Sequence, residues 1–110
     1  MDIQLRKGLL EYCVLTVLKK SDSYGYQMIR DISECIDISE STLYPILRRL
    51  ESAGKVTSYN TEYNNRIRKY FHLTDVGRRM LSDFKSDREQ MIKVLDFIAK
   101  EEEDDTESIL

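Results

Sequence analysis

The sequence predicts a mainly α protein with a small β-hairpin (α+β), and three observations carry that expectation. Apolar residues recur at spacings of three and four between Leu5 and Leu50, the period of amphipathic helices. After Gly54 the period changes, and β-branched or aromatic residues crowd Val56 to Leu73 around the turn-forming pair Asn64-Asn65. From Leu81 the spacing of three and four returns and holds as far as Ile98.

Composition bounds the function classes. With 110 residues, 41% hydrophobic and 34% charged, the chain fits one soluble domain with a modest core. No run of about 18 apolar residues is present, so no membrane-spanning helix and no membrane partner are expected. The opening stretch MDIQLRKGLLEYCVLTVLKK carries acids at Asp2 and Glu11 and no small-residue cleavage site, so it reads as an amphipathic helix, and a cytoplasmic protein is the default. Cys13 and Cys35 sit in apolar helical patterns, and His72 is the sole histidine. That set cannot supply a structural zinc site, so no metal and no cofactor are expected and the thiols read as free and buried. The net charge of −3 hides an asymmetry: residues 1–80 hold 13 basic and 10 acidic side chains, net +3, while residues 81–110 hold 4 and 10, net −6. The acid is concentrated in EEEDDTE at Glu101–Glu107, which reads as a disordered tail over 101–110 beyond a mildly basic domain.

The elements follow in order. Leu5 to Leu18 forms a first helix with a broad apolar stripe, closed by Lys19 and Lys20 at the negative end of its dipole. A second helix is expected from about Ser23, carrying Tyr24, Met28, Ile29, Ile32 and Ile36, with Gly25 in its first turn. A short link around Asp37 leads to a third helix, 39–53, capped by Ser39 or Ser41 and closed by Gly54. Its apolar residues Leu43, Ile46, Leu47 and Leu50 leave Ser41, Thr42, Tyr44, Arg48 and Arg49 on or near the opposite face. Pro45 predicts a local bend or a start nearer Thr42. The two-stranded hairpin then spans 55–73 with Arg66, Arg68 and Lys69 as its densest positive cluster. Thr74-Asp75 starts a last helix, 75–100, in which Leu81, Phe84, Arg88, Met91, Leu95 and Ile98 form a heptad seam suited to a homodimer, the alternative being a helix that folds back onto its own domain.

Three helices followed by a hairpin is the order of a winged helix-turn-helix. The expected organisation is therefore a DNA-binding domain over 1–74 and a C-terminal dimerisation helix over 75–100. In such a domain the third helix enters the major groove of double-stranded DNA and the hairpin, or wing, lies along the backbone. Ser41, Thr42, Tyr44 and Arg48 would then reach base edges or phosphates. Asn64, Asn65, Arg66, Arg68 and Lys69 would contact the backbone from the wing, and Tyr24 and Tyr26 from the start of the second helix. Arg49 is expected to form an internal ion pair, for instance with Glu51 or Asp75.

YGYQMIRDI at Tyr24–Ile32, ESTLYPILRRLESAG at Glu40–Gly54 and RKYFHLTDVGRRML at Arg68–Leu81 together resemble the PadR family of bacterial transcriptional regulators, over Leu5 to about Leu81. The short single C-terminal helix resembles the smaller subgroup of that family. The resemblance implies a homodimeric repressor that binds a palindromic operator, with the first and last helices forming the dimer interface. It assigns the recognition helix to Glu40–Ser52 and the wing to Lys55–Leu73, placing Tyr44-Pro45 on the recurrent Tyr-Pro and Arg68-Lys69-Tyr70 on the wing motif. Some members of that family release DNA on binding phenolic acids or flat hydrophobic drugs, so the resemblance also allows a small-molecule effector, hydrophobic or phenolic. An aromatic stacking site between subunits lacks a Trp here, and Arg88 stands at an inward seam position.

Two other readings compete. An enzyme is disfavoured because no nucleophile or base pattern surrounds His72. A winged helix used only for protein–protein interaction is the stronger rival, and the RIRK wing beside the Ser/Thr/Tyr/Arg helix face speaks against it.

Overall fold

A computed structural model describes the backbone of residues 1–109 and the side chains of residues 1–100. Helix α1 (Ile3–Lys20) begins at Asp2, whose carboxylate accepts the N–H groups of Gln4 and Leu5 at 3.0 and 3.1 Å. It buries Leu10, Val14, Leu15 and Leu18. The second helix starts later than the sequence predicts. Ser23 and Tyr24 form a two-residue strand, β1, and α2 is Gly25–Ser33. Tyr24 is thus a strand residue at the mouth of α2, and Ile36 packs against the core from beyond the helix end.

Helix α3 (Glu40–Ser52) runs unbroken through Pro45 from Ser39, so its start does not shift toward Thr42. Proline removes only the bond to the Ser41 carbonyl, and Ser41 lies on the exposed side. Gly54, at φ 73°, ends the helix as the pattern requires: its N–H donates to the Glu51 carbonyl and that of Lys55 to Leu50, at 3.0 and 2.9 Å.

The hairpin joins β2 (Val56–Tyr63) to β3 (Arg66–Leu73) in continuous antiparallel register from Val56↔Leu73 to Tyr63↔Arg66. Asn64 and Asn65 both have positive φ, 50° and 63°, the geometry of a two-residue turn that matches strand twist. Pairing of β1 with β3 makes a three-stranded sheet, ordered β1-β3-β2, where a two-stranded hairpin is expected. The added strand gives the hairpin a second edge partner and ties the wing base to the corner after α1.

The single last helix is two. Helix α4 (Asp75–Ser86) is capped by Thr74, whose hydroxyl accepts the Gly77 N–H at 3.1 Å and donates to the Gly54 carbonyl at 2.7 Å. The chain breaks at Asp87 and resumes as α5 (Arg88–Ile109). Ser and Asp favour helix ends over interiors, and the Ser86 hydroxyl donates back to the Asp83 carbonyl at 2.8 Å. The acidic run from Glu101 therefore falls within the backbone span of α5, and its expected disorder concerns residues whose side chains lie outside the described set. The extents of 67 × 26 × 21 Å reflect α5 projecting from a body whose core joins Leu10, Val14, Met28, Leu43, Leu47 and Leu73.

Candidate nucleic-acid interface

The period of α3 separates its faces cleanly. Leu43, Ile46, Leu47 and Leu50 are buried, while Ser41, Tyr44, Pro45 and Arg48 form an exposed stripe and Thr42 is half-buried. At the helix start the Ser39 hydroxyl does not cap the backbone. It lies 2.9 Å from that of Ser41 and 3.3 Å from that of Thr42, which gathers three hydroxyls at the positive end of the dipole. Arg49 pairs with Glu11 of α1 at 2.8 Å, not with Glu51 or Asp75. Glu51 is instead engaged by the Ser58 hydroxyl, and the Arg49 pair binds α3 to α1.

Tyr44 is less free than the sequence suggests. Its hydroxyl rests over Gly25 at the start of α2, so closely that a β-carbon there would overlap it. Gly25 is therefore needed for close approach of a side chain from α3. Tyr26 is exposed, with the Arg30 guanidinium 6.0 Å from its ring centre.

The strand alternation divides the RIRK cluster. Arg66 and Arg68 lie on the outer face of the sheet with Tyr59, Tyr63 and Tyr70, whereas Ile67 and Lys69 lie on the face that becomes core at Phe71 and Leu73. Lys69 reaches back over the Phe71 ring at 5.4 Å. Asn64 and Asn65 occupy the exposed turn. Arg68 is half-buried, with its guanidinium carbon 4.1 Å from the Tyr24 ring centre and 4.5 Å from that of Tyr63. Tyr24 thus contacts Arg68.

At the wing base, Asp22 accepts a 2.6 Å hydrogen bond from the Tyr59 hydroxyl and lies 2.7 Å from His72 Nδ1. These partners are 37 and 50 residues away in the chain, which hides the cluster from a reading of the sequence. The Tyr59 hydrogen bond, aided by the His72 contact and charge and opposed by burial, holds the Asp22 carboxyl below its ordinary 3.8. A lowered carboxyl contributes stability that is present above the unfolded value and lost as pH falls through the folded one. Thermal melts between about pH 6 and about pH 2.5 should therefore show the gap between wild type and Asp22→Asn closing below about pH 4. A gap that stays constant across that range contradicts the assignment.

The expected seam is divided as well. Leu81 is sealed in its own core and Phe84 stacks on Tyr12 of α1 with ring centres 3.8 Å apart. Met91 is half-buried, Arg88 is exposed, and Leu95 and Ile98 stand 65% and 58% exposed. Beside α1 and α4 runs an open groove of about 1150 Å³ whose lining includes Leu9, Tyr12, Cys13, Val17, Ile36 and Phe84. Burial pushes the Cys13 thiol up, with Cys35 adding to the effect, and Cys35 is exposed where a buried thiol is expected. Among the described residues no helix is long and apolar enough to cross a membrane.

Comparison with known proteins places this geometry. The model of the Transcriptional regulator PadR-like family matches residues 14–83. A crystal structure from Streptococcus mutans UA159 is 40% identical, covering 86% of this chain and 89% of that one, with a TM-score of 0.76. A PadR family transcriptional regulator from Eggerthella lenta DSM 2243 is 33% identical over 84% of this chain and 83% of its own, with a TM-score of 0.75. Bacillus subtilis PadR in complex with operator DNA is 28% identical, with a TM-score of 0.63 over 68% of this chain; the match spans 45% of that longer protein. The fold is that of the winged-helix regulators, and the chain belongs to the PadR-like family of transcriptional regulators.

Proposed function

We propose that the chain is a cytoplasmic, non-enzymatic homodimer that represses transcription by binding a palindromic operator through α3 and the wing. The observation that carries this is the pairing of two unneutralised basic elements on adjoining parts of the fold. Arg48 lies on the exposed stripe of α3, which packs on β2, and Arg66 and Arg68 lie on the outer wing face. Among the described residues none of the three has a carboxylate within 4.0 Å. The operator complex of the Bacillus subtilis relative supports the same use of this fold. In this reading Ser41, Thr42, Tyr44 and Arg48 face the major groove. Asn64, Asn65, Arg66 and Arg68 grip the backbone, joined by Lys69 and Tyr26 at the margins.

The dimer reading rests on α5. Met91, Val94, Leu95 and Ile98 share one side of it, and Ile92 and Phe97 flank them, an apolar arc of about 220° at 100° per residue. A two-helix seam needs a narrower stripe. An arc this wide suits a helix that meets a partner α5 on one side and lies in the partner's groove beside Tyr12 and Phe84 on another. A hydrophobic or phenolic effector would enter the same groove, and thermal-shift screening with phenolic acids checks that. A screen without shifts favours control by abundance or by another partner.

The test of DNA binding is titration of a duplex from upstream of the protein's own gene at several salt concentrations. Binding should weaken by about 0.9 log units per log unit of salt for each phosphate contact. Absence of binding at low salt would leave a protein-interaction module instead. Gly25→Ala should displace the Tyr44 ring and weaken the duplex complex by about 1 kcal/mol, a factor of about five, with little change in melting temperature. Unchanged affinity removes Tyr44 from the interface.

A further inference from the structure

Arg66 and Arg68 share the outer wing face, yet their surroundings differ. Arg66 is exposed beside the turn, whereas Arg68 is half-buried between two rings. The rings come from opposite sides, since Tyr24 belongs to β1 and Tyr63 to β2, the strands that flank β3 on its two edges. The Tyr70 hydroxyl also engages the guanidinium, which holds five N–H donors in a planar fork, so donors remain for a further partner. Such donors make bidentate contacts with phosphate. Among the described residues no carboxylate pairs with Arg68, so its charge is held in place without being neutralised.

The Tyr24 ring is itself anchored. Tyr24 meets Tyr70 edge-on at 5.4 Å, Tyr70 stacks with Tyr59 at 5.8 Å and 16°, and the Tyr59 hydroxyl is bound by Asp22 at 2.6 Å. A continuous line therefore runs from the corner after α1 across the sheet to Arg68. A free arginine gives up rotamer freedom on binding, which weakens the complex. Arg68 has given up that freedom before DNA arrives.

Building on the DNA-binding reading above, we propose that Tyr63 and Tyr24 are positioning residues that act through Arg68, holding its guanidinium ready for a backbone phosphate. Tyr63 is the better probe, because it lies 56% exposed near the wing tip and outside the core. It carries no other assigned role.

The experiment is a double-mutant cycle on duplex binding by the full-length protein, with the salt dependence measured for each variant. Arg68→Ala should reduce the slope of log K against log salt by about one contact. Tyr63→Leu should weaken binding about fivefold while keeping the wild-type slope, because the phosphate contact still forms but ordering now opposes it. Tyr63→Phe, which keeps the ring, should bind within about twofold of wild type. In the Arg68→Ala background Tyr63→Leu should have no further effect. An equal loss from Tyr63→Leu with and without Arg68 would overturn the proposal, and so would a loss from Tyr63→Phe matching that from Tyr63→Leu. If Arg68→Ala alone leaves both affinity and slope unchanged while the duplex still binds, the proposal falls through the wing assignment, and DNA recognition by α3 stands.

Discussion

Gly77→Ala should destabilise the domain by about 3 kcal/mol and lower its melting temperature by about 15 °C. An alanine inside a helix normally adds about 1 kcal/mol over glycine, so the expected sign is reversed. A β-carbon at Gly77 would overlap the Lys55 carbonyl oxygen and stand 2.6 Å from Leu73 Cδ1. Neither neighbour is free to retreat. The Lys55 carbonyl accepts the Thr74 N–H at 3.2 Å, the Lys55 N–H closes the end of α3, and Leu73 is buried in the core. One methyl group would thus pry α4 from the junction where α3, the wing base and the α4 cap meet. A thermal melt checks this, and an unchanged or raised midpoint would contradict it.

Leu95→Glu should have the other large effect, on assembly. Leu95 is 65% exposed in the protomer and absent from its core, so the circular dichroism spectrum and the body of the fold should survive. A carboxylate within the α5 apolar arc would need burial without a partner on dimerisation. The expected result is a monomer by sedimentation and a loss of about 100-fold or more in affinity for a palindromic duplex, as two linked half-sites become one. Dimer mass and full affinity retained by this variant would place the interface elsewhere.

Much of the body is legible in the sequence because local chemistry and tertiary packing agree there. The stripe of Leu43, Ile46, Leu47 and Leu50, the closing Gly54 and the Asn64-Asn65 turn each follow from one element's own period or backbone need. The departures occur where a distant partner decides. Ser23 and Tyr24 continue a helical pattern, but the edge of β3 captures them as a strand. The heptad spacing from Leu81 to Ile98 is real in the sequence, yet Tyr12 and the core claim Phe84 and Leu81 for the protomer and Asp87 ends the helix. The exposed face of α3 could be read from its spacing, whereas the Asp22, Tyr59 and His72 cluster and the rings around Arg68 required the sheet register. Tyr63 had no signal of its own beyond facing Arg66 across the turn.

Hydroxyl-radical footprinting of the duplex upstream of the protein's own gene tests the paired reading heads most directly. A symmetric dimer should protect two segments related by two-fold symmetry, with centres about one helical turn, roughly 34 Å, apart. Arg66→Ala and Arg68→Ala should fade the flanking backbone protection while leaving the two centres in place. A single unpaired protected segment, or uniform lanes with the protein saturating, would contradict recognition by two copies of α3.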